Sequence, residues 1–151
     1  MSTTSELETW ATKNVEHFIG VYAADQLPSR ISAPSCLIVN YDPASLPGSH
    51  WVACWVQKRS VYWFDSFGLA PDADDLILGH RTFFTSWLAS ICGPLGLQSY
   101  SWNTLDLQSL AAKTCGHYSL WFCRNGPLVG WRQFTSDATS NDARIRELVR
   151  L

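Results

Sequence analysis

The chain contains no apolar run approaching about 18 residues, no Cys-x-x-Cys pair and no excess of positive charge. Without such an apolar run, no membrane-spanning helix is expected. The opening MSTTSELETW has neither a basic leader nor an apolar core, so no secretory signal is expected and a soluble intracellular protein is. A formal charge of -2 provides no global basic field to attract nucleic acid, which leaves only a local basic patch for that purpose. Cysteines stand at 36, 54, 92, 115 and 123, an odd number that argues against a disulfide framework and a zinc ribbon and in favour of reduced thiols. Repeats, low-complexity tracts and long linkers are also missing, so residues 1–151 are expected to form one domain.

Aromatic residues are plentiful: eight Trp, seven Phe and five Tyr imply either a heavy aromatic core or a large contact surface, and composition does not separate these. Ser5-x-x-Glu8 reads as a capping box, and Leu7, Trp10, Ala11, Val15, Phe18, Ile19 and Tyr22 recur at helical spacing. They predict a first helix of about fifteen residues ending near Gly20. CLIVN at 36–40 predicts a buried strand, and WVACWV at 51–56 with VYWFD at 61–65 predicts a hairpin closed by QKRS. Pro71 and the acidic residues after it predict a helix running to the Gly93-Pro94 stop. LQSYSWNTLDLQ is ambiguous. A helix is expected from about Cys115 to Cys123, closed by Arg124-Asn125-Gly126-Pro127, and a last one over roughly 141–150 after Ser140-Asn141-Asp142.

Four of the cysteines have plain apolar neighbours and read as core. Cys115 differs, because it opens a helix immediately before a glycine. Unpaired N–H groups and the helix dipole favour a thiolate there, and a neighbouring imidazolium would favour it further. The predicted hairpin supplies the imidazole. With Val56 opposite Val61, Asp65 faces Val52 and has His50 as its diagonal neighbour, about 7 to 8 Å away and within side-chain reach. A carboxylate that orients an imidazole makes a general base, and a thiol completes a nucleophilic set. Gln108, seven residues before Cys115, is placed to donate its amide to a developing oxyanion together with the Cys115 backbone N–H. Loss of one such donor costs about 2.7 to 4 kcal/mol of barrier. Gly116 leaves room for a substrate backbone at the helix end. His117 points roughly 200° around the helix from Cys115 and reads as structural, as do His17 and His80.

These residues resemble the adenovirus maturation protease family, adenain, in the clan that includes the ubiquitin-like-protein proteases. The matches are GSHWVACW at 48–55, YWFDSFG at 62–68 and Gln108-x6-Cys115-Gly116, with HFIGVYAADQLPSRISAPSCLIVN at 17–40 resembling the adenain N-terminal region. The resemblance implies an α+β cysteine-protease core: a central, mainly antiparallel sheet packed between helices, with the nucleophile at a helix N-terminus. It implies Cys115 as nucleophile, His50 as general base and acid, Asp65 as its orienter, Gln108 in the oxyanion hole and Trp51 packed beside the imidazole as a water shield. Asp65 stands where adenain has glutamate, a swap that the ubiquitin-like-protein proteases also show.

The implied activity is a thiol endopeptidase that cleaves viral precursor proteins at glycine-containing sites during virion maturation, in the host nucleus and the virion. An isopeptidase acting on ubiquitin-like conjugates and an inactive protein-binding module on the same fold are the alternatives. The sequence itself requires no cofactor and suggests no metal or membrane partner; a monomer is expected. The family resemblance implies DNA or an activating peptide as cofactors. LQSYSWNTLDLQ lacks the cysteine that adenain uses to bind its peptide covalently, and the mildly acidic chain lacks adenain's basic surface.

Overall fold

The computed structural model describes residues 1–73, 84–128 and 131–151. Its elements in chain order are helix α1 (Thr4–Asn14), strands β1 (Phe18–Tyr22), β2 (Ser35–Asn40), β3 (Trp51–Gln57) and β4 (Ser60–Phe64), helix α2 (Phe84–Cys92), strand β5 (Ser101–Trp102), and helices α3 (Cys115–Asn125) and α4 (Ala138–Leu148). None of the described helices is long and apolar enough to cross a membrane.

The sheet runs β1-β2-β3-β4-β5. Its centre is antiparallel, β2 with β3 and β3 with β4, whereas the two outer pairs, β1 with β2 and β4 with β5, are parallel. The fold is thus α+β with a mixed sheet between helices. β2 is buried along its whole length, as a run of branched residues must be when both of its faces are covered. On one face, Ile38, Ala53, Trp55 and Phe64 pack against α1, α3 and α4 through Leu7, Phe122 and Ile145. On the other, Leu37, Val52, Cys54 and Trp63 pack against α2 through Phe84, Trp87 and Leu88. The aromatic excess is mostly core: among the described residues, Trp102 is the one aromatic side chain left exposed.

Several boundaries differ from expectation for identifiable reasons. The capping box is Thr3 with Glu6, two residues earlier than Ser5 with Glu8, with reciprocal bonds of 3.2 and 3.1 Å. α1 stops at Asn14, and Phe18–Tyr22 pairs with β2 instead of continuing the helix. Its apolar spacing fits a helix, but FIGVY is rich in branched and aromatic residues, and an open sheet edge captures it. Pro71–Ala73 form a turn, while residues 74–83, the middle of the expected second helix and the site of His80, lie outside the described residues. α4 begins at Ala138 with Asp137 as its cap, so Asn141 and Asp142, which read as cap residues, lie inside the helix and are buried.

Phe122 of α3 stacks on Phe64 of β4 with centroids 4.8 Å apart, and Phe64 stacks on Trp131 at 4.7 Å. This column joins the Cys115 helix to the sheet. Phe122→Ala is expected to lower stability by about 3 to 5 kcal/mol. Urea unfolding followed by tryptophan fluorescence measures it, and a loss below about 1 kcal/mol would contradict the column's role.

Candidate active site

The hairpin register brings the imidazole and the carboxylate together. Val56 pairs with Val61 as expected, and Gln57 also pairs with Ser60, so the turn narrows to Lys58-Arg59 without changing the register. His50 just precedes β3 and Asp65 just follows β4, so both lie at the same end of the hairpin. There, His50 Nε2 donates to Asp65 Oδ1 at 2.8 Å. Asp65 is fully buried, and the same oxygen also accepts the Phe67 N–H at 2.9 Å. Asn103 brackets the Asp65 backbone, accepting its N–H at 2.9 Å and donating to its carbonyl at 2.6 Å. Gly68 closes the turn after Asp65 at φ +71°, and a Cβ there would come within 2.8 Å of the Thr104 carbonyl, so loop 103–105 can lie directly against the turn.

Because Nε2 faces the carboxylate, Nδ1 is the ring nitrogen left for sulfur. His50 interacts electrostatically with Cys115, the first residue of α3. Burial disfavours the imidazolium, but the hydrogen bonds and negative charge of Asp65 and Cys115 outweigh it and raise the His50 pKa from 6.5 to about 10. Cys115 is 3% exposed, and its Sγ also accepts the Trp51 backbone N–H at 3.5 Å. An imidazole held between a carboxylate and a thiol can take the thiol proton and keep it as an imidazolium. By contrast, burial pushes the thiols of Cys54, Cys92 and Cys123 upward, as expected of core cysteines.

Ring packing around His50 differs from the expected arrangement. Phe67 stacks on the imidazole at 5.0 Å and Tyr41 lies tilted against it at 5.5 Å. Trp51 alternates to the opposite face of the strand, packs in the core shared with Cys115, and donates its indole N–H to the Ser2 carbonyl at 3.0 Å. Phe67 and Tyr41 are thus the aromatic rings in contact with the imidazole. Phe67 lies inside the quoted YWFDSFG, but only the turn geometry turns its ring onto His50. Gly116 also serves a different contact from the one expected, because a Cβ there would meet Leu7 Cδ2 at 3.0 Å and Ser2 Cβ at 3.3 Å. The space beside it holds the chain's own N-terminal segment.

Gln108 is 3% exposed and its amide is fixed at both ends. Ser66 Oγ donates to Gln108 Oε1 at 2.6 Å, and Gln108 Nε2 donates to the Ala112 carbonyl at 2.6 Å. An amide nitrogen carries two N–H groups, so one remains for a ligand. Ser66, next to Asp65, carried no signal in the sequence, since an isolated serine has no period or spacing to mark it.

No family model and no curated protein matches the chain. Among solved structures, the chain is similar to the ASFV pS273R protease, with 20% identity over 77% of this chain and 44% of that one and a TM-score of 0.44. The chain therefore spans less than half the length of that protease. The likeness is too slight to decide the chemistry, so the functional reading rests on the site residues.

The raised His50 pKa has a definite sign for stability. The contribution is fully present below about pH 6.5 and is lost as pH rises through about 10. The melting-temperature difference between wild type and His50→Gln should accordingly be largest below pH 6.5 and shrink between pH 6.5 and 10. A difference that stays constant across that window would contradict the charged pair.

Proposed function

We propose that the chain is a thiol endopeptidase of the adenain type that cleaves viral precursor proteins at glycine-containing sites. One observation carries the reading: a cysteine at a helix N-terminus interacts with a histidine that is itself hydrogen-bonded to a buried aspartate. Cys115 as thiolate attacks the scissile carbonyl, forming the C–S bond and a tetrahedral oxyanion. That oxyanion is met by the Cys115 backbone N–H and the spare Gln108 N–H. His50 then gives its proton to the leaving amine as the C–N bond breaks, and Asp65 holds the ring in place. Water attacks the thioester as His50 takes a proton from it, the C–S bond breaks, and the carboxylic acid departs, leaving the Cys115 thiolate and the protonated His50 with which the cycle began.

Glycine preference follows from access. The thiol of a cysteine that is 3% exposed is reached only by a backbone with little side chain beside it. A groove of about 640 Å³ lies between Met1–Ser5 and the end of β2 at Asn40 with the loop through Pro47 and Gly48, bordered by Trp51, whose backbone N–H reaches the Cys115 sulfur. A modifier ending in Gly-Gly would satisfy the same constraint, so the substrate assay includes one.

Iodoacetamide near neutral pH is expected to alkylate Cys115 ahead of the other four cysteines, and His50→Ala should slow that reaction at least about tenfold. Equal, slow labelling of all five would overturn the thiolate–imidazolium pair. Cys115→Ala should abolish cleavage of a fluorogenic Gly-Gly peptide. Strong preference for a ubiquitin-end fluorogenic substrate over that peptide would replace the endopeptidase with a deconjugating enzyme.

A further inference from the structure

The segment between Gln108 and Cys115 is held from a direction that the site residues do not explain. Asp142, in the last helix, is 4% exposed and its carboxylate accepts four hydrogen bonds. Oδ2 takes the Ser109 N–H at 3.2 Å and the Ser109 hydroxyl at 2.6 Å. Oδ1 takes the Thr114 hydroxyl at 3.0 Å and the Tyr118 hydroxyl at 2.9 Å. Four donors match the acceptor capacity of an ionised carboxylate. Ser109 directly follows Gln108, and Thr114 directly precedes Cys115. A single side chain therefore ties together the two residues that flank the oxyanion donor and the nucleophile.

Its neighbour Asn141 completes the grip. Asn141 Nδ2 donates to the Leu107 carbonyl at 3.2 Å, and that carbonyl lies 3.2 Å from the Tyr118 hydroxyl, whose single proton goes to Asp142. On the other side, the Ser66 carbonyl accepts the N–H groups of Leu107 and Gln108 at 2.8 and 3.2 Å. Gln108 is thus bracketed between the residue after Asp65 and two consecutive residues of α4. Thr114 adds a second effect. It occupies the N-cap of α3, and threonine there ordinarily caps by accepting with its hydroxyl oxygen, yet this hydroxyl makes no cap bond and is turned toward Asp142, to which it donates. The N–H groups of Gly116 and His117, the ones an N-cap side chain accepts, are left uncapped by Thr114 at the helix end where an oxyanion would form. Burial first, and then the bond to Asp142 and its charge, push the Tyr118 phenol well above its ordinary range, so the hydroxyl stays a donor.

We infer that Asp142 is a positioning residue for the oxyanion side of the site, holding Gln108 in place through Ser109 and keeping Thr114 off the helix N-terminus. The inference rests on the protease reading above. Asp142 touches no reacting atom, so its removal should act on the tetrahedral transition state and spare the thiolate–imidazolium pair.

Asp142→Asn tests this with the full chain and the fluorogenic Gly-Gly peptide. The expected result is a kcat about 10- to 100-fold lower, with KM and the iodoacetamide rate at Cys115 both within about twofold of wild type, because alkylation builds no oxyanion. Unchanged kcat overturns the inference. So does a kcat that falls in step with the alkylation rate and the melting temperature, since that marks Asp142 as a purely structural residue while leaving the protease reading intact. A wild-type chain that neither labels at Cys115 nor cleaves overturns the protease reading and this inference with it. If Asp142→Asn does not fold, Ser109→Ala removes a single hydroxyl at a partly exposed position and replaces it in the same comparison of kcat with alkylation rate. A fall in kcat alone then supports the inference, and an unchanged kcat or a parallel fall in both overturns it.

Discussion

The chemistry of this chain depends on the pairing of β3 with β4. That ladder sets His50 and Asp65 side by side at one end of a hairpin, and their 2.8 Å hydrogen bond follows from the register. A slip of one residue would turn the imidazole and the carboxylate to opposite faces of the sheet. It would also move Val52, Cys54 and Val56, now packed against α2, to the face covered by α1, α3 and α4, and bring Ala53 and Trp55 against α2. The apolar pattern that builds the core therefore enforces the alignment of the site, and one cannot be lost while the other is kept.

Around that hydrogen bond the site is dry. Asp65 is fully buried, His50 lies between Phe67 and Tyr41, and Cys115 is almost covered. Low polarity should work against an imidazolium, yet the charges of Asp65 and Cys115 act at close range in the same medium and prevail. The network also extends beyond the triad. Asp65 is held through its backbone by Asn103, Ser66 passes the alignment on to Gln108, and Asp142 meets the same segment from the opposite side. In this way the last helix takes part in the site instead of only covering the sheet.

Much of this is legible in the chain alone. CLIVN and the WVACWV/VYWFD hairpin have branched and aromatic residues at strand spacing, and the predicted pairing of Val56 with Val61 matches the structure. The helix beginning at Cys115 is marked by its apolar face and by the Arg-Asn-Gly-Pro stop. FIGVY is not legible, because its apolar spacing fits a helix and only an available sheet edge makes it a strand. Asn141 and Asp142 mislead in another way. Their side chains suit a helix cap, but here a buried backbone and three hydroxyl-bearing side chains needed polar partners, and those residues supply them.

The hairpin register and the thiol at the start of a helix are written in the chain itself, since both follow from local periodicity and from residues close in sequence. What surrounds them came only with the folded packing: Phe67 and Tyr41 against the imidazole, Ser2 and Leu7 against Gly116, and Asp142 beneath the segment from Gln108 to Cys115. Those contacts join stretches that are distant in sequence. Only packing of the helices onto the two faces of the sheet brings them within reach, and no spacing along the chain records it.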